Sequence, residues 1–181
     1  MIEGIEEFEV DLKSVIDAAY YAYRVVFCSF RQGYKPRFGN GGLVKHMQGK
    51  LGELAFYKFC LQNKIPVRHV PFRNDYTELC EDDDFIVANG IKVEVKTSTL
   101  KQNPYVLYNV KQYKEKKDLR FIVVFAAINP EWTRIFLLGW ISSLRICDFP
   151  IRKDLQSPAY EIPVSALKPM SDFKVLGDVN V

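Results

Sequence analysis

The chain has 181 residues, 48% of them hydrophobic and 26% charged, with a formal net charge of +3. That length favours a single domain with a sizeable core, and the composition is globular rather than disordered or fibrous. No apolar run approaches the roughly 20 residues of a membrane span. The start of the chain is acidic (Glu3, Glu6, Glu7, Glu9, Asp11), the wrong sign for a signal or transit peptide. The expectation is a cytoplasmic or otherwise intracellular protein, not secreted and not bound to a membrane.

Residues 11–31 carry Leu12, Val15, Ile16, Ala19, Tyr23, Val26, Phe27 and Phe30 at three- and four-residue steps, which predicts an amphipathic helix. Residues 33–42 hold Pro36 and the Gly39-Asn40-Gly41-Gly42 run and read as loop. Residues 43–63 predict a second helix, ending before Pro66. Its apolar residues spread over more than one stripe (Leu51, Leu54, Ala55, Phe56, Phe59, Leu61), as expected of a helix buried on two sides, and it carries the acid Glu53. Residues 67–72 read as a short strand and 74–83 as an acidic loop. Phe85 to Ala88 and Ile91 to Thr97 read as a hairpin, with Asn89-Gly90 marking a two-residue turn. Residues 105–117 are predicted helical, with Gln112 near the middle. Phe121 to Ile128 is almost wholly apolar, which predicts a central strand buried on both faces. After a turn at residues 129–132, Arg134 to Ile141 forms another strand. The tail is broken by Pro150, Pro158, Pro163 and Pro169, with a turn of helix at Ser165 to Leu167. This order implies a mixed sheet with helices on its faces.

Cys28, Cys60, Cys80 and Cys147 contain no C-x-x-C pair, which leaves little case for zinc or iron–sulfur binding. Cys28, Cys60 and Cys147 have apolar neighbours and read as buried free thiols. With only His46 and His69 in the chain, a histidine-based metal or catalytic centre is not expected. Charge is unevenly placed. Arg31, Lys35, Arg37, Lys45 and Lys50 follow one another with no acid between them, and Lys111, Lys114, Lys116 and Lys117 form a second basic stretch. Basic segments flanking an acidic pocket suit a threaded polyanion. His46, Tyr105, Tyr108 and Tyr113 lie near these lysines and could contact phosphates or bases, but a plain surface histidine and tyrosines at the rim of the core are the favoured readings.

The segment from Asp84 to Lys96 carries the chemistry. An acid opens an apolar run, a Gly turn follows, and Glu94 and Lys96 then stand two residues apart on one strand face. Two carboxylates and an amine in one pocket are what metal-assisted phosphodiester hydrolysis needs. Asp84 and Glu94 would supply hard oxygens to Mg²⁺, with Mn²⁺ substituting, and Lys96 would serve the attacking water or the phosphate. Asp82 and Asp83 compete with Asp84 for the ligand role.

Glu53 on a helix, Asp84 before an apolar strand, and Glu94-Val95-Lys96 on the next strand together resemble the PD-(D/E)xK nuclease superfamily, which includes restriction endonucleases and Holliday-junction resolvases. The likeness covers roughly residues 48–128. The motif's leading Pro is absent, since Asp83 precedes Asp84. The resemblance implies a restriction-endonuclease-like α/β fold, a mixed central sheet flanked by helices. It also implies a metal site of Asp84, Glu94, the Val95 carbonyl and the helix acid Glu53, with Glu53, Asp84, Glu94 and Lys96 as catalytic residues. Gln112 matches a helix glutamine of some branches. The expected function is a Mg²⁺-dependent DNA endonuclease of resolvase, homing or restriction type. Arg31, Lys35, Arg37, Lys45, Lys50, Gln112 and Lys114 would bind DNA. Two-strand cutting implies a homodimer or higher homo-oligomer, with the first helix as contact surface. The alternatives are a non-catalytic nucleic-acid-binding or assembly module on the same fold and a metal-dependent ribonuclease. The expected organisation is one domain over 1–181: an N-terminal helix and basic loop (1–42), a catalytic core (43–141) and a C-terminal extension (142–181).

Overall fold

A computed structural model describes residues 4–31, 42–68, 84–100, 104–116 and 120–173. The elements run β1 (Glu6–Glu9), α1 (Leu12–Arg31), α2 (Gly42–Gln62), β2 (Phe85–Ile86), β3 (Lys92–Thr99), β4 (Tyr105–Asn109), α3 (Val110–Glu115), β5 (Phe121–Ile128), β6 (Arg134–Ser142), β7 (Ile151–Arg152) and β8 (Ala159–Pro163). Five strands form one mixed sheet in the order β1-β6-β5-β3-β2, with β3 and β5 parallel and the other neighbours antiparallel. The remaining three form an antiparallel sheet, β4-β8-β7. The architecture is therefore mixed α/β, as expected. Among the described residues, no helix is long and apolar enough to cross a membrane.

β5 explains the layering. Every one of its side chains is buried, and they alternate between two cores. Ile122, Val124, Ala126 and Ile128 join Leu51, Ala55, Phe56 and Phe59 of α2. Phe121, Val123 and Phe125 join Tyr108, Tyr113 and Ile162 on the side of the smaller sheet. Such a strand has no solvent face, hence its near-continuous apolar run. α2 is covered on two sides, by the sheet and by α1, whose Ala18 and Ala22 are fully buried. The tail is built into the molecule: Met170 and Phe173 have no solvent exposure, and Phe173 meets Phe56 edge to face at 5.3 Å.

One close approach seats α2. A Cβ at Gly52 would run into the Thr97 side chain of β3. Gly52→Ala is expected to cost about 1–3 kcal/mol by overpacking, read as a lower denaturation midpoint, and to push the neighbouring Glu53 away from β3.

Several expectations are corrected. Residues 105–109 form a strand, not the start of a helix. Their side chains alternate exposed and buried, and they pair with β8, which lies far along the chain. The helix begins only at Val110, where the Asn109 side chain accepts the Gln112 N–H at 3.0 Å and caps it. The acidic segment Glu6–Glu9 is an edge strand on β6 with only Phe8 inward; charges on an edge discourage further pairing. The tail contributes β7 and β8, which its scattered prolines concealed. Val67 makes only an isolated bridge, to Val87; residues 69–72 of the expected strand, 33–41 of the expected loop and 74–83 of the expected acidic loop lie outside the described residues. Cys60 is buried, but Cys147 is exposed.

The hairpin turn also differs. Asn89 and Gly90 both adopt positive φ, 60° and 74°, which the Asn-Gly pair favours. Yet β2 and β3 pair Phe85 with Val93 and Ile86 with Lys92, a register that leaves three loop residues, Ala88–Gly90, rather than two. Shifting a register by one residue exchanges the faces of a strand. Asp84 lies just before the paired strand, and from there its side chain reaches the Val95 N–H; a two-residue loop would have shifted it by one place along β3.

Candidate active site

The site forms where β2 stops. Among the described residues, no strand continues along that edge of β3 past Val93. Asp84 occupies the vacated edge: its Oδ2 accepts the Val95 N–H at 2.7 Å. The N–H and C=O of a strand residue point to the same side, so the Val95 carbonyl faces this edge too. Val93 and Val95 turn toward α2, which sends Glu94 and Lys96 to the opposite face. Glu53, on α2, thus approaches from one face of the sheet and Glu94 from the other. The charge of Asp84 acts on Glu53, and that of Glu94 acts on Asp84.

Glu94 is 2% exposed, and a buried carboxylate needs compensation. The compensation is dense. Oε1 pairs with the Lys96 ammonium and accepts a hydrogen bond from Gln112 Nε2 at 2.5 Å. Oε2 accepts one from the Tyr108 hydroxyl at 2.6 Å and lies 3.8 Å from Lys116 Nζ. Glu53 pairs with Lys50 one helical turn earlier, and Lys50 in turn lies 4.1 Å from the centre of the Tyr21 ring.

Burial, chiefly, and then the negative charge of Asp84 push the Glu53 carboxyl up to about 8, against the pull of Lys50 and Lys96. Burial also raises Asp84, opposed by the Val95 N–H and by Lys96. Each of these acids therefore holds a proton more tightly than in water, the mark of negative charge crowded into a poorly solvated place. Tyr108 is held protonated, first by burial and then by Glu94 beside it. Burial likewise lifts the Cys60 thiol to about 12, which makes it inert.

Glu53, Asp84, Glu94, the Val95 backbone, Lys96 and Gln112 thus come together at one edge of the sheet. Among the described residues, however, no three His, Cys, Asp or Glu side chains already stand around one point so as to hold an ion. Lys45 and Lys114 are exposed. Lys50, expected to bind DNA from the surface, is instead 7% exposed and committed to Glu53. Gln112 points into the acid cluster rather than outward. Lys35, Arg37, Asp82 and Asp83, and the side chain of Arg31, lie outside the described residues. Tyr108 and Tyr113 are buried and cannot stack on bases, whereas Tyr105 is 41% exposed.

The pocket roles of Tyr108 and Lys116 were missed in the sequence. The alternation Tyr105-Val106-Leu107-Tyr108 held the signal for Tyr108, because it turns every second side chain inward. For Lys116 there was none: it lies in a run of lysines, and only the fold turns it inward. The Asn109 cap supports Gln112, so Asn109→Ala should lower stability by about 1 kcal/mol and, by fraying α3, loosen the bond from Gln112 to Glu94. Thermal melts would report the first effect and an amide spectrum of α3 the second.

Compared with protein-family models, curated proteins and solved structures, the chain matches none.

Proposed function

We propose that this protein is a Mg²⁺-dependent DNA endonuclease of the PD-(D/E)xK kind, its sheet and helices arranged as in restriction endonucleases. One observation carries the reading. Glu53, Asp84, Glu94 and Lys96, from a helix, a strand entry and a second strand, converge on the edge of β3 where β2 ends.

The donor set suits a hard cation. Asp84 and Glu53 are carboxylates crowded enough to raise their proton affinity, and the Val95 carbonyl faces the same edge. Mg²⁺ keeps several waters and needs only one or two carboxylates. Asp84, Glu53, Val95 and Oε1 of Glu94 would hold it. When bound, such an ion acidifies a water and neutralises charge on the phosphate. The chain's own residues do the rest. Lys96, 30% exposed at the side chain, can leave Glu94 and present its ammonium to the phosphate as a point charge. Lys50 supplies the counter-charge of Glu53. Exposed Lys45, Lys111 and Lys114 would attract backbone phosphates, an attraction that weakens steeply with salt. Two-strand cutting calls for a second copy of the chain, and α1 exposes Leu12, Ile16, Tyr20 and Tyr23 at the helical spacing of a contact face.

The test is incubation of supercoiled, linear and four-way-junction DNA, and of matched RNA, with Mg²⁺ or Mn²⁺. Metal-dependent cutting of DNA is the expected result; cutting that proceeds in chelator removes the site assignment. A second reading, a nucleic-acid-binding module without turnover, draws on the saturation of both Glu94 oxygens by protein donors. Salt-sensitive DNA binding with no cleavage in any divalent metal would select it.

A further inference from the structure

The two oxygens of Glu94 are held in different ways. Oε2 is bound by Tyr108, whose ring has no solvent exposure, and faced by Lys116, whose side chain is 7% exposed. Oε1 is bound by Lys96, 30% exposed, and by the half-buried Gln112 on a six-residue helix. The Oε2 partners are locked in the core between β4 and β5; Tyr108 packs against Tyr113 at 6.3 Å and Lys116 lies over the Phe121 ring at 5.2 Å. The Oε1 partners are the more exposed and can yield.

We infer that Tyr108 and Lys116 are positioning residues that anchor Glu94 through Oε2, so that Oε1 alone is offered to a cation at the β3 edge. This inference rests on the nuclease reading and adds to it a division of labour between two lysines. Lys116 is the resident counter-charge of a buried carboxylate. Because it stays with Glu94, Lys96 can move to the phosphate without leaving that carboxylate uncompensated. Partners that orient a metal-binding group typically contribute 10–100-fold to metal affinity or activity.

The experiment measures Mn²⁺ binding to the full chain by electron paramagnetic resonance, alongside single-turnover cleavage, for wild type, Tyr108→Phe, Lys116→Met, Lys116→Arg and Tyr113→Phe. Tyr108→Phe keeps charge and shape and removes only the hydroxyl. It should weaken Mn²⁺ binding and slow cleavage by roughly tenfold or more, with KM for DNA unchanged. Tyr113→Phe, which deletes a hydroxyl from the same core without touching Glu94, should do neither. Lys116→Met should slow cleavage, and Lys116→Arg should restore much of the loss. Wild-type metal binding with Tyr108→Phe indistinguishable from it overturns this inference and leaves the nuclease reading standing, as does an equal effect of Tyr113→Phe. A wild-type chain that binds no Mn²⁺ and cuts no DNA overturns both.

Discussion

Lys96→Ala is expected to lower metal-dependent DNA cleavage by roughly 10²–10³-fold, the usual cost of removing one donor aimed at developing charge, while leaving the protein folded. The fold should survive because Glu94 keeps Tyr108, Gln112 and Lys116 when Lys96 is gone. The buried carboxylate is then still hydrogen-bonded and still faces a cation. Lys96 itself is the most exposed of the lysines gathered here, with 30% side-chain exposure against 8% for Lys50 and 7% for Lys116. Its truncation removes little packing. Lys96→Arg should not rescue full activity, because a planar guanidinium cannot replace a compact ammonium at this site. Single-turnover rates with matched circular dichroism spectra decide the matter. A variant that cuts at the wild-type rate rules out Lys96 as a participant.

The second large effect couples pH, metal and stability. Glu53 ionises near 4.5 when unfolded and near 8 in the folded chain, and Asp84 is raised in the same direction. Between those values the folded state holds more protons than the unfolded one. Stability of the metal-free protein is therefore greatest below the unfolded value and falls as pH rises toward 8. A divalent ion competes with those protons, so its affinity should climb across the same window. At about 100 times its dissociation constant a ligand adds about 2.7 kcal/mol, or roughly 5–10 °C in melting temperature for a chain of this size. Saturating Mg²⁺ or Mn²⁺ at pH 8 should give such a rise, and the same concentration at pH 5 should give little. Asp84→Asn should stabilise the metal-free protein at pH 8 and abolish the metal increment. An increment that is equal at both pH values, or that survives in Asp84→Asn, would show that the acids at the β3 edge are not where the cation binds.

How far the sequence could be read depended on how local each interaction was. α1 and α2 were legible because their apolar residues repeat with the turn of their own helix. β5 was legible because a strand with no solvent face has no polar positions. Tyr105–Asn109 was misjudged because its partner, β8, lies some 50 residues further on, and only that partner makes its alternation meaningful. The candidate site divides in the same way. Glu94 and Lys96 share a face by the geometry of a single strand, whereas the inward turn of Tyr108, Lys116 and Lys50 depends on packing between distant segments.

By itself, then, the sequence determined the mixed α/β character, the two long helices, the central strand and the acid–acid–lysine grouping, all of which follow from short-range periodicity and residue chemistry. The tertiary structure alone decided that three residues, not two, close the hairpin. It also decided that β2 begins only at Phe85 and that Gly52 lets α2 close on β3. The physical reason is that register and helix docking are set by competition among many non-local contacts. A one-residue change in that competition shifts Asp84 by one place along the edge of β3, and no local pattern in the chain records which register wins.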